Sequence, residues 1–341
     1  MINIRKLEAE LWESADLLRQ GSKLTSSQYC MPVLALLFLR YAYSRYKMVE
    51  AEILQNRPSR GGRVMPVEPS DFAAKSALYL PREAQFDYLV NLPDNIVAAS
   101  LKTKDGQAIN SLGEAVNNAM QLVEDQSEQL TGVLPKTYTM FADDLLRELL
   151  RIFNNKTIDE VGGDIIGRIY EYFLSKFSSK EGKGEFYTPK PIVKIITEMI
   201  QPLKGRIFDP CCGSGGMFVQ SMKLVQAHNG NKNDVSIYGQ EYTLTTLKLA
   251  KMNLAIRGIS ANFGDHNDDS LRRDLHKDLR ADYVMANPPF NQKEWGADEL
   301  EEKTGKCYDG YRQTACFLRC DADMAEDEYR ELQRQKKLKK N

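Results

Sequence analysis

The sequence predicts two domains, an α-helical first half and an α/β second half, and three observations carry that prediction. From Ile4 to about Asn155 apolar residues recur at helical spacing between polar loops, with no convincing period-two strands. Beyond Pro191 short apolar runs alternate with helical stretches, and the runs are separated by crossover lengths, which calls for a parallel sheet. Among them stands Phe208-Asp209-Pro210-Cys211-Cys212-Gly213-Ser214-Gly215-Gly216, a glycine-rich segment of strand-to-helix type.

In the first half, Leu7, Leu11, Ala15 and Leu18 share one helix face, and Gly21 stands where that helix stops. Gln28 to Leu54 reads as a longer helix, apolar first and then amphipathic. Asn56 to Ser70 holds Pro58, Gly61, Gly62, Pro66 and Pro69 and reads as a loop or linker. Ser111 to Leu130 and Asp143 to Phe153 restore the helical pattern, with Leu145, Leu146, Leu149 and Leu150 on one face. These stripes are core packing. Asp159 to Phe177 is a further amphipathic helix bridging the two halves, and Ser178 to Gly184 a glycine and lysine loop.

In the second half a helix runs from Pro191 to Ile200. Strands are predicted at Arg206 to Phe208, Val235 to Gly239, Ser260 to Phe263 and Ala281 to Ala286. Helices at Gly216 to His228 and Thr243 to Arg257 separate the first three.

Composition narrows the class. The chain has 341 residues, 42% hydrophobic and 27% charged, as ordinary globular proteins do. Its longest strongly apolar stretch, Val33 to Leu39, is far short of a membrane span, and the N-terminus lacks the apolar core of a secretory signal. A cytoplasmic protein without a membrane segment is expected. The six cysteines form no evenly spaced framework, and Cys307, Cys316 and Cys320 lack metal-ligand spacing, so reduced thiols and no metal are expected. A formal net charge of -1 disfavours autonomous DNA binding, because Lys and Arg contacts to phosphate supply most nonspecific affinity.

The glycines after Asp209 let the backbone turn tightly, so that amide groups at the next helix start face a ligand carboxylate. The spacing is not that of a dinucleotide fingerprint: the third glycine position from Gly213 and Gly215 is Phe218. A triphosphate-binding loop is missing as well. At Gly239-Gln240-Glu241 the second strand ends on a carboxylate placed to accept both hydroxyls of a ribose. Alone, Glu241 reads equally as a solvated helix-start residue; beside the glycine turn it reads as a ribose ligand. For the adenine of such a cofactor Asp265, Asp268 and Asp269 compete, and Asp269 is favoured because Asp269-Ser270-Leu271 leads into the stretch before the fourth strand.

The fourth strand runs into Asn287-Pro288-Pro289-Phe290. An exocyclic adenine amine is a weak nucleophile because its lone pair is delocalised. The Asn287 amide oxygen and the Pro288 carbonyl can accept its two hydrogens and turn the lone pair toward a methyl donor. The prolines stiffen the loop, and Phe290 offers a flat surface on which a base rotated out of a duplex can stack. An amine acceptor and a sulfonium donor define a methyl transfer. Cys211 and Cys212 sit in the cofactor turn and not in the catalytic loop, so they read as packing residues.

The joint pattern of Glu185-Phe186-Tyr187-Thr188-Pro189, the Phe208 to Phe218 turn, Gly239-Gln240-Glu241 and Ala281-Asp282-Tyr283 through Asn291 closely resembles the modification subunit of type I restriction-modification systems, over about residues 1 to 300. The resemblance implies an α-helical N-terminal domain (1–155) followed by an α/β Rossmann-like S-adenosylmethionine-dependent methyltransferase domain (156–300) specific for adenine N6 in DNA. It puts Phe186, Tyr187, Thr188 and Pro189 on the cofactor, the last three at its methionine part. Asp209 and Gly213 join them there, with Ser214, Gly215 and Gly216 of the same turn, and Glu241 takes the ribose. Asn287, Pro288, Pro289 and Phe290 hold the target adenine. It further implies DNA, a specificity subunit, a second modification subunit and a restriction subunit as partners.

After the fourth strand the pattern departs from the family. Residues 301–341 form a charged, atypical tail, with an amphipathic helix expected from Asp323 to Lys339 and no further apolar strand. A sheet ending there leaves an edge uncovered, so the domain reads as incomplete after the fourth strand and the chain as truncated or frameshifted. Two alternatives stand beside the active enzyme: a catalytically inactive remnant of such a subunit, and a protein glutamine methyltransferase, which uses a related Asn-Pro-Pro loop but predicts a tyrosine where Phe290 stands.

Overall fold

The computed structural model describes residues 4–56, 59–60, 63–64, 67–75, 77–155, 165–181 and 187–289. They fall into two compact units, Met1–Tyr187 with Lys248–Ser260, and Thr188–Leu247 with Ala261–Asn341.

The first unit is helical. Its longer helices are α1 (Ile4–Gln20), α2 (Ser26–Gln55), α5 (Leu112–Glu124), α6 (Asp143–Phe153) and α7 (Ile165–Glu181), with the short α3 (Pro69–Ala73) and α4 (Phe86–Val90) between. Thr25 starts α2 through a capping box: its hydroxyl accepts from the Gln28 N–H, and the Gln28 side chain accepts from the Thr25 N–H at 3.0 Å. Val33 through Leu39 are all buried, so this part of α2 is surrounded and forms the centre of the bundle. Helix α7 packs along it, and Trp12 of α1 meets Phe173 and Phe177 edge-on, with ring centroids 5.2 and 4.9 Å apart. Leu249, Met252 and Ile256, from the Lys248–Ser260 segment, complete the same core. There Arg257 pairs with Glu171 at 2.8 Å and also donates to the Gly167 carbonyl.

Several sequence expectations are corrected here. The Ser111 to Leu130 helix stops at Glu124, and a turn leads to a single 3-10 turn at Glu128–Leu130. Buried Phe177 and Ser178 anchor the last turn of α7, which therefore runs to Glu181 through the start of the expected loop. The first half also contains β pairing: a two-residue hairpin, Ser59–Arg60 with Arg63–Val64, lies in the expected linker, and Lys102 bridges Ala108. The part of the bridging helix expected before Ile165 lies outside the described residues, as do the tail and its Asp323 to Lys339 helix.

The second unit is an α/β layer. Strands β1 (Gly205–Asp209), β2 (Val235–Gly239) and β3 (Tyr283–Val284) form a parallel sheet in the order β2-β1-β3, with Phe208 opposite both Tyr238 and Val284. Helix α8 (Lys190–Ile200) packs against α9 (Gly216–Ala227), and α10 (Leu244–Ala255) follows β2 and belongs to the first unit from Lys248 onward. The strand expected at Ser260 to Phe263 reduces to one parallel bridge, Tyr238 with Asn262. Asn262 accepts the Gly264 N–H at 2.9 Å and Gly264 adopts φ +72°, so the chain turns away before a ladder forms. The strand expected at Ala281 to Ala286 is likewise short, although Asp282 and Met285 also donate to Arg206 and Phe208 of β1. Because β1 has β2 on one side and β3 on the other, the strand order reverses beside it. The crevice at its carboxyl end is where open α/β sheets bind ligands.

Candidate active site

The segment after β1 turns through Gly213 (φ +55°) and Gly215 (φ +77°), both left-handed, and α9 begins at Gly216. A side chain at either position would be strained, which is why glycine stands there. Asp209, at the end of β1, is 2% exposed and accepts the Cys211 N–H at 3.0 Å. Burial, reinforced by the charge of Glu241, pushes its carboxyl up to about 7. Ser214 is buried within the turn.

Glu241 stands at the end of the neighbouring strand. Its carboxylate accepts the Gly213 N–H and the Thr243 N–H, each at 3.0 Å, and burial raises its pKa. The Gly213 amide, expected to face a ligand, is therefore engaged by Glu241, and the acidic side chain braces the glycine turn from the side. Gly239 has no room for a side chain: a Cβ there would lie 2.9 Å from the Phe263 ring.

The Asn-Pro-Pro loop leaves β3 at the same edge of the sheet. Asn287 is exposed, and its Nδ2 donates to the Thr188 hydroxyl at 3.1 Å, across 99 positions of sequence. Just before the loop, the Met285 N–H donates to the Phe208 carbonyl of β1, which brings Asn287 to the end of β1 from which the glycine turn departs. Burial drives the thiols of Cys211 and Cys212 well above the ordinary thiol range, so neither is poised as a nucleophile.

Of the remaining sequence-predicted residues, Thr188, Pro189 and Pro288 lie in the second unit, Pro288 half-buried and Pro189 and Pro289 exposed. Tyr187 belongs to the helical unit, half-buried against its core, where burial and Glu171 push its phenol up to about 12. Phe186 and Phe290 lie outside the described residues. Asp269 accepts the Leu271 N–H at 2.9 Å, and Asp268 faces His266 and Arg273 at 3.2 Å each. Among the described residues no group of three or more His, Cys, Asp or Glu side chains is arranged to hold a metal ion, and no helix is long and apolar enough to cross a membrane.

Comparison with known proteins matches two family models in succession: the HsdM N-terminal domain over residues 7–153 and the N-6 DNA methylase domain over residues 161–319. The type I restriction enzyme HindI methylase subunit of Haemophilus influenzae is 43% identical over 210 residues, covering 58% of this chain and 47% of that protein. The MjaIX methylase subunit of Methanocaldococcus jannaschii is 36% identical over 316 residues, 87% of this chain and 53% of its own length.

The chain belongs to the family of type I restriction enzyme methylase subunits.

It spans about half the length of the curated relatives it matches. Among solved structures, a type I methyltransferase subunit from Streptococcus thermophilus shares the fold with a TM-score of 0.67 at 19% identity, covering 93% of this chain and 71% of that one. A modification subunit of a putative type I restriction enzyme from Vibrio vulnificus does so at 0.54 and 22%, covering 86% and 62%. The helical domain followed by the α/β methyltransferase fold is thus the architecture of type I methylase subunits. Sequence reading gave no role to the side chains of Gln240 and Ser270, which donate to the Arg273 and Pro210 carbonyls in this domain. Only Gln240 carried a signal in advance, its place between Gly239 and Glu241.

Proposed function

We propose that the chain transfers a methyl group from S-adenosylmethionine to the N6 amine of adenine in a specific DNA sequence, as the modification subunit of a type I restriction-modification system. The observation that carries this reading is the placement of the Asn287 loop beside the glycine turn, at the carboxyl end of β1 where the strand order reverses. A site with a cofactor turn on one strand and an amine-gripping loop on the next suits transfer between two ligands in one crevice.

The residues divide the work. The turn at Asp209 to Gly216 and Glu241 hold the cofactor, which supplies an already activated methyl group; Asp269 is the candidate for its adenine. Asn287 Oδ1 and the Pro288 carbonyl accept the hydrogens of the target amine, and Thr188 holds Asn287 Nδ2 so that Oδ1 is turned to the base. Pro289 stiffens the loop and Phe290 stacks on the base. A neutral amine needs no general base before attack. The near-neutral charge suits a subunit whose DNA is read by a specificity subunit, in a cytoplasmic complex with a second modification subunit and a restriction subunit.

Calorimetry with S-adenosylmethionine on the purified chain and on Asn287→Ala tests the first half of the reading; both bind if it holds. Labelled methyl transfer with an added specificity subunit tests the second, and the label belongs on adenine N6. Folded wild-type chain that binds no cofactor removes the claim of activity, and label in protein in place of DNA redirects it.

A further inference from the structure

Gln240 stands between the two residues of its motif that already have a role, and it is 1% exposed. Its main chain ties β1 to the cofactor turn: the N–H donates to the Asp209 carbonyl and the carbonyl accepts the Cys212 N–H, each at 3.0 Å. Its side chain reaches a different segment. Nε2 donates to the Arg273 carbonyl at 2.7 Å and the Asp268 carbonyl at 3.4 Å, while Oε1 accepts the Leu275 N–H at 3.2 Å. Only a carboxamide has two donors and an acceptor on a stem of this length. A glutamate would set one carboxylate oxygen against two carbonyls, and a methionine would leave three peptide groups without their partner.

The segment so gripped, residues 265–275, contains no helix or strand. An irregular segment keeps one conformation only as far as its own polar groups are tied down. Its other ties lead to the same place: the Asp268 N–H donates to the Glu241 carbonyl at 3.1 Å, and the Ser270 hydroxyl donates to the Pro210 carbonyl. The three acidic candidates for the cofactor's adenine all lie on this segment.

We propose that Gln240 is a positioning residue: its carboxamide fixes residues 265–275 against Glu241 and Pro210 and thereby sets where Asp268 and Asp269 stand toward the nucleoside half of the cofactor. The proposal rests on the cofactor reading given above. It assigns Gln240 no contact with the cofactor.

The test is calorimetry on the full chain, wild type and Gln240→Met, with two probes: S-adenosylhomocysteine, and 5′-methylthioadenosine, which keeps the nucleoside and lacks the amino acid end. Both probes weaken by the same factor, roughly tenfold, as expected when buried peptide groups lose their partner. Hydrogen exchange quickens at 268–275 while β1 and β2 keep their protection. Affinities within about twofold of wild type, or a loss confined to S-adenosylhomocysteine, overturn the proposal. If Gln240→Met is not recovered folded, Ser270→Ala carries the test, with the same equal loss on both probes at smaller size; unchanged binding there overturns it too. A wild-type chain that binds neither probe refutes the cofactor reading itself and this proposal with it.

Discussion

The two sides of the crevice are built differently. On the cofactor side Asp209, Cys212, Ser214 and Gln240 are buried, and the turn is held by main-chain bonds, by Glu241 and by the Ser270 hydroxyl. On the amine side Asn287 and Pro289 are exposed, the preceding strand pairs over two residues, and one side-chain bond, to Thr188, orients Asn287. A diffusing small molecule is met by a cradle already formed. The base that the proposed function requires to rotate out of a duplex would be met by an open loop with a stiff backbone. On the proposed function, the contrast makes affinity for cofactor and rate of transfer separable properties, governed by residues on different strands.

The largest expected effect separates them most sharply. Asn287→Ala lowers methyl transfer about a hundredfold or more, as loss of one oriented polar partner does at other reacting centres, and leaves cofactor affinity unchanged by calorimetry. A matching fall in cofactor affinity would erase the distinction. Next, Glu241→Ala strips a charged acceptor from the Gly213 and Thr243 amides and from the cofactor ribose. Charge-assisted bonds contribute about 2 kcal/mol, so cofactor affinity falls about thirtyfold. An unchanged dissociation constant would show that the turn needs no brace.

The third prediction concerns pH. The Asp209 carboxyl has its folded pKa raised from 3.8 to about 7, so between those values the folded state holds a proton that the unfolded state has lost. Stability of the cofactor-free protein therefore falls as pH rises through that window and levels off above it, and Glu241, also raised, adds a slope of the same sign. Asp209→Asn removes the Asp209 part of the decline, read from urea midpoints at pH 5 and pH 8. Equal slopes in the two proteins would mean that the cradle side is no more tightly buried than the loop side. The smallest effect belongs to Thr188→Val, which frees Asn287 Nδ2 and lowers transfer by roughly three- to tenfold with cofactor affinity kept. A loss of affinity instead would support the cofactor contact that the family resemblance gives Thr188.

Much of the fold was legible because its signals are local. Helical periodicity located α2 and α6, and the glycine turn located the end of β1. The misreadings fell where a local turn or burial in the fold overrides the pattern. Ser260 to Phe263 reads as a strand, yet the Asn262 side chain and the left-handed Gly264 end it after one bridge. The start of the loop after Phe177 reads as open chain, yet burial of Phe177 and Ser178 holds it helical.

What the sequence determined by itself is the kind of chemistry. A tight turn needs glycine, a ribose needs a carboxylate and an amine needs paired acceptors, and for each the proposed residues stand in a short local motif. Only the tertiary structure decided how those pieces are held. That Thr188 reaches Asn287, that Glu241 takes the Gly213 amide, and that Gln240 grips residues 268 to 275 are bonds between distant residues. Such bonds have no periodicity or spacing, because a side chain's partner across a fold is set by how the strands and loops come together in space.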